Sequence, residues 1–221
     1  MKVLIPVCGL WFLIAGVGDA GVVYSVDDGS AEVVRGGFDG ADGFIGNLFT
    51  AKTGGSVITA IAVAWGSPNN PGHAPVGTPI EVLLYDDPNN DGVLDDLVLL
   101  TSESGTITNP DSNTFVEYPI TPTEVAGNFL AAALVRNLSA GPTPISTDQS
   151  MFQGATYTLL TPNIDTSNLE PNFSFPGVDG NAMVRATGVP EPSLLLHFAV
   201  ASALGLAGLI RLSPRRGSRR G

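Results

Sequence analysis

Glycine and proline interrupt this chain so often that most of it cannot form long helices. The sequence has 27 glycines and 17 prolines among 221 residues, and both residue types weaken or end helices. Between them lie short runs rich in Val, Ile, Leu, Thr and Tyr, which are typical of strands joined by turns. Long uninterrupted apolar segments occur only near the two ends. We therefore expect an all-β body between two apolar termini.

Several segments between residues 21 and 188 carry the strand pattern. They are GVVYSVDD (21–28), GGSVITAIAVAWG (54–66), TPIEVLLYDD (78–87), LDDLVLLTS (94–102), TFVEYPIT (114–121), GATYTLL (154–160) and NAMVRATG (181–188). GNFLAAALVRNL (127–138) is ambiguous, because its three alanines favour a helix whereas Gly127 and the flanking turns favour a strand, which we prefer. About seven to ten strands in one body predict an antiparallel β-sandwich, jelly-roll-like, over residues 21–188.

Larger and smaller side chains alternate within residues 57–65. The larger set comprises Val57, Thr59, Ile61, Val63 and Trp65, and the smaller set comprises Ile58, Ala60, Ala62 and Ala64. Successive side chains of a strand point to opposite faces, so one face carries the bulky set and the other the small set. Because neither face is polar, this pattern predicts a central strand that is buried on both sides.

The charge of the body is strongly negative. Residues 21–188 contain 19 acidic residues against four basic ones, and the whole chain has a formal net charge of −11. Such a surface repels phosphate backbones, so we expect no nucleic-acid partner.

The single cysteine of the sequence, Cys8, precedes the body. The body therefore has no disulfide, no cysteine nucleophile and no zinc–thiolate site.

The most informative segment of the body is YDDPNNDGVLDD, residues 85–96. Oxygen-bearing side chains occur at alternate positions ahead of a glycine, as in the first half of a calcium-binding loop. Val98 stands at the twelfth position, where a bidentate glutamate belongs, and the flanking segments have strand patterns. Two interpretations are open. One is an ordinary polar hairpin turn, and the other is a calcium site formed by Asp87, Asn89, Asp91 and Asp95.

Residues 1–20 have the layout of a secretory signal peptide. Lys2 precedes an apolar run, and the small residues Gly18 and Ala20 occupy the positions that signal peptidase recognises. The pattern predicts export, with signal peptidase cutting between Ala20 and Gly21. An uncleaved N-terminal membrane anchor is the alternative.

A second apolar segment spans residues 194–210, and arginines dominate the charge of the tail behind it, residues 211–221. Seventeen helical residues extend about 25 Å, just enough to span a bilayer. Positively charged tails stay on the cytoplasmic side. The segment therefore predicts a single transmembrane helix with the acidic body outside, and a buried core helix is the alternative.

The motif Val189-Pro190-Glu191-Pro192, within residues 189–193, lies between the body and this apolar segment. The two prolines keep the backbone extended, and extended backbone is the form that a protease cleft binds. Motif, apolar helix and arginine-rich end follow one another as in the PEP-CTERM sorting signal of Gram-negative bacteria, which residues 189–221 closely resemble. The resemblance implies that an integral-membrane exosortase recognises the motif and processes the protein. It also implies an association with exopolysaccharide and biofilm formation.

Together these features predict an exported protein, first anchored in the inner membrane and then located at the cell surface or in the extracellular matrix. Exopolysaccharide is its candidate partner.

Catalytic signals are weak, because the one histidine of the body, His73, lies in a loop and no Gly-x-Ser-x-Gly motif occurs. We therefore expect no catalytic residues, no enzymatic activity and no cofactor besides calcium. Two alternatives are open: a calcium-assisted carbohydrate-binding or adhesion module, and a polysaccharide hydrolase with paired carboxylates.

Overall fold

The computed structural model describes residues 21–37, 39–150, 153–169 and 180–191. Within these ranges the chain is all-β, with one short 3₁₀ turn at Leu94–Asp96. The strands are β1 (Val22–Tyr24), β2 (Val33–Gly37), β3 (Ala41–Thr50), β4 (Val57–Val63), β5 (Pro79–Asp86), β6 (Val98–Thr106), β7 (Val116–Glu124), β8 (Asn128–Leu138), β9 (Gly141–Asp148), β10 (Thr156–Thr161), β11 (Asn181–Ala182) and β12 (Val184–Val189).

Both predicted membrane-related segments lie outside the described residues. These are the signal peptide up to Ala20 and the C-terminal part of the sorting signal from Pro192 onward, with its transmembrane segment and basic tail. Among the residues that are described, no helix has the length and apolar character needed to cross a bilayer.

The strands pair into three antiparallel sheets. The first has the order β1-β12-β4-β7, the second has the order β10-β3-β8-β5-β6, and a small third sheet has the order β11-β9-β2. Each neighbouring pair in these sheets is antiparallel. The predicted all-β, antiparallel class is therefore confirmed.

One apolar core is shared by the four-stranded and the five-stranded sheets. Ile58 and Ile61 of β4 contribute from the first sheet, and Val82 of β5 and Phe129 of β8 contribute from the second. Tyr24 of β1 packs edge-on against Phe129, with ring centroids 5.0 Å apart. Two sheets that bury one face against the other form a sandwich-like body, in which the hydrophobic effect holds the layers together.

Strand β4 lies inside the first sheet, between β12 and β7, as its apolar pattern predicted. The predicted burial on both sides is incomplete, since Thr59 and Ala62 are only half-buried. Its register with β12 shifts, because the two-residue step from Ile58 to Ala60 in β4 faces a one-residue step in β12. Such a β-bulge adds one residue to a strand and so exchanges the faces on which later side chains lie. Ile58, which precedes the bulge and belongs to the smaller set, therefore shares the buried core with Ile61 of the larger set. Val57, also from the larger set, is only half-buried.

The ambiguous segment 127–138 forms strand β8, in the middle of the five-stranded sheet. This confirms its interpretation as a strand. Strands β2, β3 and β9 had no predicted counterpart. Glycines in β3 and the prolines Pro142 and Pro144 in β9 hide the strand pattern, since both residue types are normally depleted in strand interiors.

One end of the sandwich, called the hairpin end below, brings together the two segments of interest. Strand β5 ends there, β6 begins there, and β8 begins there at Asn128. Strand β4 also begins there, at Val57, which pairs with Val189 at the end of β12. Residues 125–127 connect β7 to β8 and cross from one sheet to the other at this end. The loop of residues 87–96 and the last residues of β12 therefore share one end of the body.

Candidate calcium site in the acidic loop

Residues 87–96 connect β5 to β6 and are called the acidic loop below. Asn90, with a φ of 59°, and Gly92, with a φ of 75°, have left-handed backbone, a conformation that asparagine and glycine tolerate best. Asn90 N donates a hydrogen bond to Asp87 O at 3.1 Å. The asparagine and the glycine thus let the chain turn tightly directly after β5.

Asp87 is a buried carboxylate at the base of the acidic loop, with 0% of its surface exposed. Its Oδ2 accepts hydrogen bonds from Gly92 N at 2.9 Å and from Asn128 Nδ2 at 3.4 Å. Its Oδ1 is also buried and has no hydrogen-bond partner within the described residues. A buried charged oxygen without a partner is costly, and a bound cation would offset that cost.

Asp91 and Asp96 lie close to Asp87. One carboxylate oxygen of each residue lies within 4.8 Å of the corresponding oxygens of the other two. Asp96 Oδ1 is likewise buried, without a hydrogen-bond partner in the part of the chain that the structure describes. Carboxylate oxygens are the hard ligands that calcium takes in proteins. The three residues could therefore hold a metal ion.

The structure brings two of the four predicted ligands, Asp87 and Asp91, into this group. Asn89 contacts Asp91 instead: its Nδ2 donates to Asp91 Oδ2 at 3.0 Å, and its Oδ1 accepts from Asp91 N at 2.9 Å. Asp95 is exposed, and Asp96 joins the group in its place. Both residues lie in the 3₁₀ turn, where successive side chains point about 120° apart, so only one of them can face Asp87.

The negative charges of the acidic loop act on one another. Burial raises the pKa of the Asp96 carboxyl above its ordinary value, and the charges of Asp91, Asp87 and Asp95 raise it further. Burial, together with the charge of Asp87, also raises the pKa of Asp86. The loop therefore disfavours the charged forms of these carboxyls, and a divalent cation would reverse that preference.

Two side chains from distant strands hold the acidic loop, and the spacing of the sequence did not reveal them. Asn128, the first residue of β8, donates from Nδ2 to Asn90 O at 3.1 Å and from its backbone N to Asn90 Oδ1 at 2.6 Å. Tyr157 of β10 donates its hydroxyl to Gly92 O. The conformation of the loop thus depends on β8 and β10 as well as on its own turn residues.

A second acidic group consists of Asp28, Glu32 and Asp148, again with one oxygen of each within 4.8 Å of the others. These oxygens have protein donors. Asp148 accepts from Asp28 N at 2.8 Å and from Ser150 N at 2.7 Å, and Glu32 accepts from Gln149 N at 2.8 Å. Because its carboxylates are already hydrogen-bonded, this group lacks the unpartnered buried oxygen that distinguishes the acidic loop.

The described part of the predicted sorting motif, residues 189–191, lies against the body. Val189 is the last residue of β12, and Pro190 follows it. Glu191 Oε1 accepts a hydrogen bond from Ser56 Oγ at 3.0 Å. Gly21, on the far side of the predicted signal-peptide cleavage point, directly precedes β1.

Comparisons with known proteins identify no family for this chain. No protein-family model and no curated protein matches the sequence. A solved structure that resembles the chain contains the cysteine protease and lectin-like domains of Cwp84, a surface layer associated protein of Clostridium difficile. The TM-score is 0.45 at 14% sequence identity, and the match covers 68% of this chain and 32% of that chain. This chain therefore spans about a third of the length of the solved chain that it matches.

This comparison corrects the expectation that the protein is not an enzyme, because the matching chain includes a cysteine protease. A likeness at this TM-score assigns no activity to the present chain either. Its only cysteine, Cys8, lies outside the described residues. In the body, His73 lies in an exposed loop with its Nε2 3.1 Å from Asn70 Oδ1.

Proposed function

We propose that the chain is an exported surface or extracellular-matrix protein whose β-body binds calcium in the acidic loop. The observation that carries calcium binding is the buried carboxylate of Asp87, whose Oδ1 has no hydrogen-bond partner among the described residues. Asp91 and Asp96 supply further oxygens beside it. The jelly-roll-like arrangement belongs to this proposal, and it is supported by β3, β4 and β5, which alternate between the two large sheets.

Calcium would act on the stability of the body. An ion that binds only the folded state stabilises it by about 2.7 kcal/mol at a hundredfold excess over its Kd. The twelfth-position glutamate of a complete calcium loop is replaced by Val98. We therefore expect weak affinity, with a Kd on the order of 10⁻⁴–10⁻³ M, as in extracellular modules.

Thermal melting of the exported protein tests the calcium proposal. Millimolar calcium should raise the Tm relative to chelator, and magnesium should raise it much less, because its tighter octahedral geometry fits such a loop poorly. Asp91→Ala should remove the calcium effect. Glu103→Ala is the matched control, since Glu103 is exposed on β6, away from the acidic loop. Identical Tm values of the wild type in calcium and in chelator would contradict calcium binding, and the loop would then be an ordinary polar turn.

Calcium-assisted carbohydrate binding is a second candidate, favoured by the position of the acidic group at the surface. Asp87 lies on the buried side of the acidic group, whereas Asp91 and Val93 are exposed to solvent. An ion held there would keep a side open to solvent, where sugar hydroxyls could bind it. A glycan array probed with and without chelator separates this candidate from a purely structural ion, because only the former gives chelator-sensitive binding.

The route to the surface is a separate part of the proposal. We infer that an exosortase recognises Val189 to Pro192 and processes the precursor, and the support is the order of motif, apolar segment and arginine-rich end in residues 189–221. Glu191→Ala should leave the full-length precursor in the inner membrane, since Glu191 is the one charge of the motif. Membrane fractionation and blotting measure this, and normal processing of the variant would contradict the route.

A further inference from the structure

The first residues of the sorting motif form part of the folded body. Val189 ends β12 and pairs with Val57 of β4. Pro190 and Glu191 then line one side of a cleft beside the start of β4, and Lys52 lines it as well. Ser56 Oγ donates a hydrogen bond of 3.0 Å to Glu191 Oε1. The described residues of the motif, 189–191, are thus bound by the body through a strand pairing and through a contact to the single charge of the motif.

This arrangement competes with recognition by a protease. A cleft that binds extended peptide uses the backbone groups and side chains of that peptide. At Val189 the backbone is already paired with β4, and at Glu191 the carboxylate is already bound to Ser56. Five residues lead from Val189 to the apolar segment at Leu194, and they span at most about 17 Å. An enzyme at the bilayer would therefore meet the motif against the hairpin end of the body.

We propose that the body withholds the sorting motif from its processing enzyme until the end of β12 separates from β4 and from Ser56. This inference rests on the proposed exosortase route and adds a regulatory step to it. Only molecules with a released motif are substrates, so the apparent affinity of the enzyme for the precursor falls by the released fraction. The paired end of β12 then sets the rate at which the precursor is processed.

Two changes that leave the motif intact test this step in the full-length chain, expressed with the exosortase. Ser56→Ala removes the donor to Glu191, and it should speed processing about twofold to fivefold, as expected for one exposed hydrogen bond. Inserting six Gly/Ser residues between Gly188 and Val189 uncouples the motif from β12, and it should speed processing at least as much. Pulse–chase labelling and blotting measure the rates.

The controls separate this inference from the proposed route. Ser104→Ala, at an exposed position on β6, should be processed like the wild type, and the insertion combined with Glu191→Ala should stay uncut. Thermal melting checks that every variant is folded. If Glu191→Ala alone is processed normally, the route itself is wrong. If Glu191→Ala blocks processing but neither Ser56→Ala nor the insertion accelerates it, the exosortase route stands. The inference that the body withholds the motif from the enzyme is then wrong.

Discussion

At the scale of single residues, the acidic loop is distinguished by carboxylates that the protein only partly satisfies. Asp42 shows the usual solution: this buried carboxylate accepts from Arg136 Nη1 at 2.7 Å and from the backbone N of Asn137 and Ile164. Asp87 is also buried, but among the described residues it has only neutral donors, and these reach only one of its oxygens. The contrast supports a role for Asp87 beyond internal hydrogen bonding.

The raised pKa of Asp96 predicts how pH acts on the calcium-free protein. A carboxyl whose pKa is higher in the folded than in the unfolded state costs stability above that pKa, and the cost is relieved as the pH falls through it. In chelator, Asp96→Asn should therefore be more stable than the wild type at pH 7. This advantage should shrink as the pH falls through the raised pKa toward 3.8, the ordinary value. Tm values measured across this pH range give the difference.

Asp165 is the matched control with the opposite sign. Hydrogen bonds from Ser167 lower its pKa, so the charged form contributes stability that is present above pH 3.8 and lost as the pH falls through the lowered pKa. Asp165→Asn should thus be less stable than the wild type at pH 7, with a cost that stays constant down to about pH 4. A pH-independent advantage of Asp96→Asn would show that charge at Asp96 is not the cause.

At the scale of strands, the five-stranded sheet depends on close approach between β3 and β8. Gly46 of β3 pairs with Ala132 of β8. A Cβ at Gly46 would lie 2.7 Å from Ala132 Cβ and 2.8 Å from Ala131 O. Glycine is therefore needed at this position for its small size, because a methyl group would meet backbone that cannot move without breaking the pairing.

Gly46→Ala should accordingly destabilise the body by about 1–3 kcal/mol through overpacking. Gly36→Ala in β2 is the matched control, since a Cβ there meets nothing within 4 Å. Alanine also lowers the conformational entropy of the unfolded chain relative to glycine. That control should be neutral or stabilise by up to about 1 kcal/mol. Urea denaturation measures both, and equal effects of the two substitutions would contradict the close packing of β3 on β8.

At the scale of the whole molecule, both ends of the body meet at the hairpin end. Val22, the first residue of β1, pairs with Gly188 of β12, so the predicted start of the mature chain lies beside the predicted sorting motif. Strand β1 begins one residue after Gly21. A cut between Ala20 and Gly21 therefore removes the whole apolar leader and leaves the first paired residue in place.

We predict that the mature protein starts at Gly21. Gly18 and Ala20 provide the small side chains that signal peptidase accepts. Mass spectrometry of the exported protein should give an N-terminal Gly21, and Ala20→Lys should leave the precursor uncut. A mature protein that still begins with Met1-Lys2 would show that the segment is an anchor and not a signal peptide.

The sequence by itself determined the fold class and the location of most strands, because these depend on local rules. Alternating side chains mark a strand, and glycine or proline marks its end. The same rules located the acidic loop and identified Asp87 and Asp91. They missed β2, β3 and β9, whose glycines and prolines are accepted only because neighbouring strands provide the pairing.

Tertiary structure alone decided which side chains face inward and which complete the site. The bulge in β4 lets Ile58 share the buried core with Ile61, since one extra residue reverses the faces of a strand. The 3₁₀ turn directed Asp96, and not Asp95, toward Asp87. Asn128 and Tyr157 reach the loop from β8 and β10. Such contacts join residues that are far apart in the chain. The spacing of residues along a sequence predicts only contacts between residues that are close in the chain, so it could not predict these.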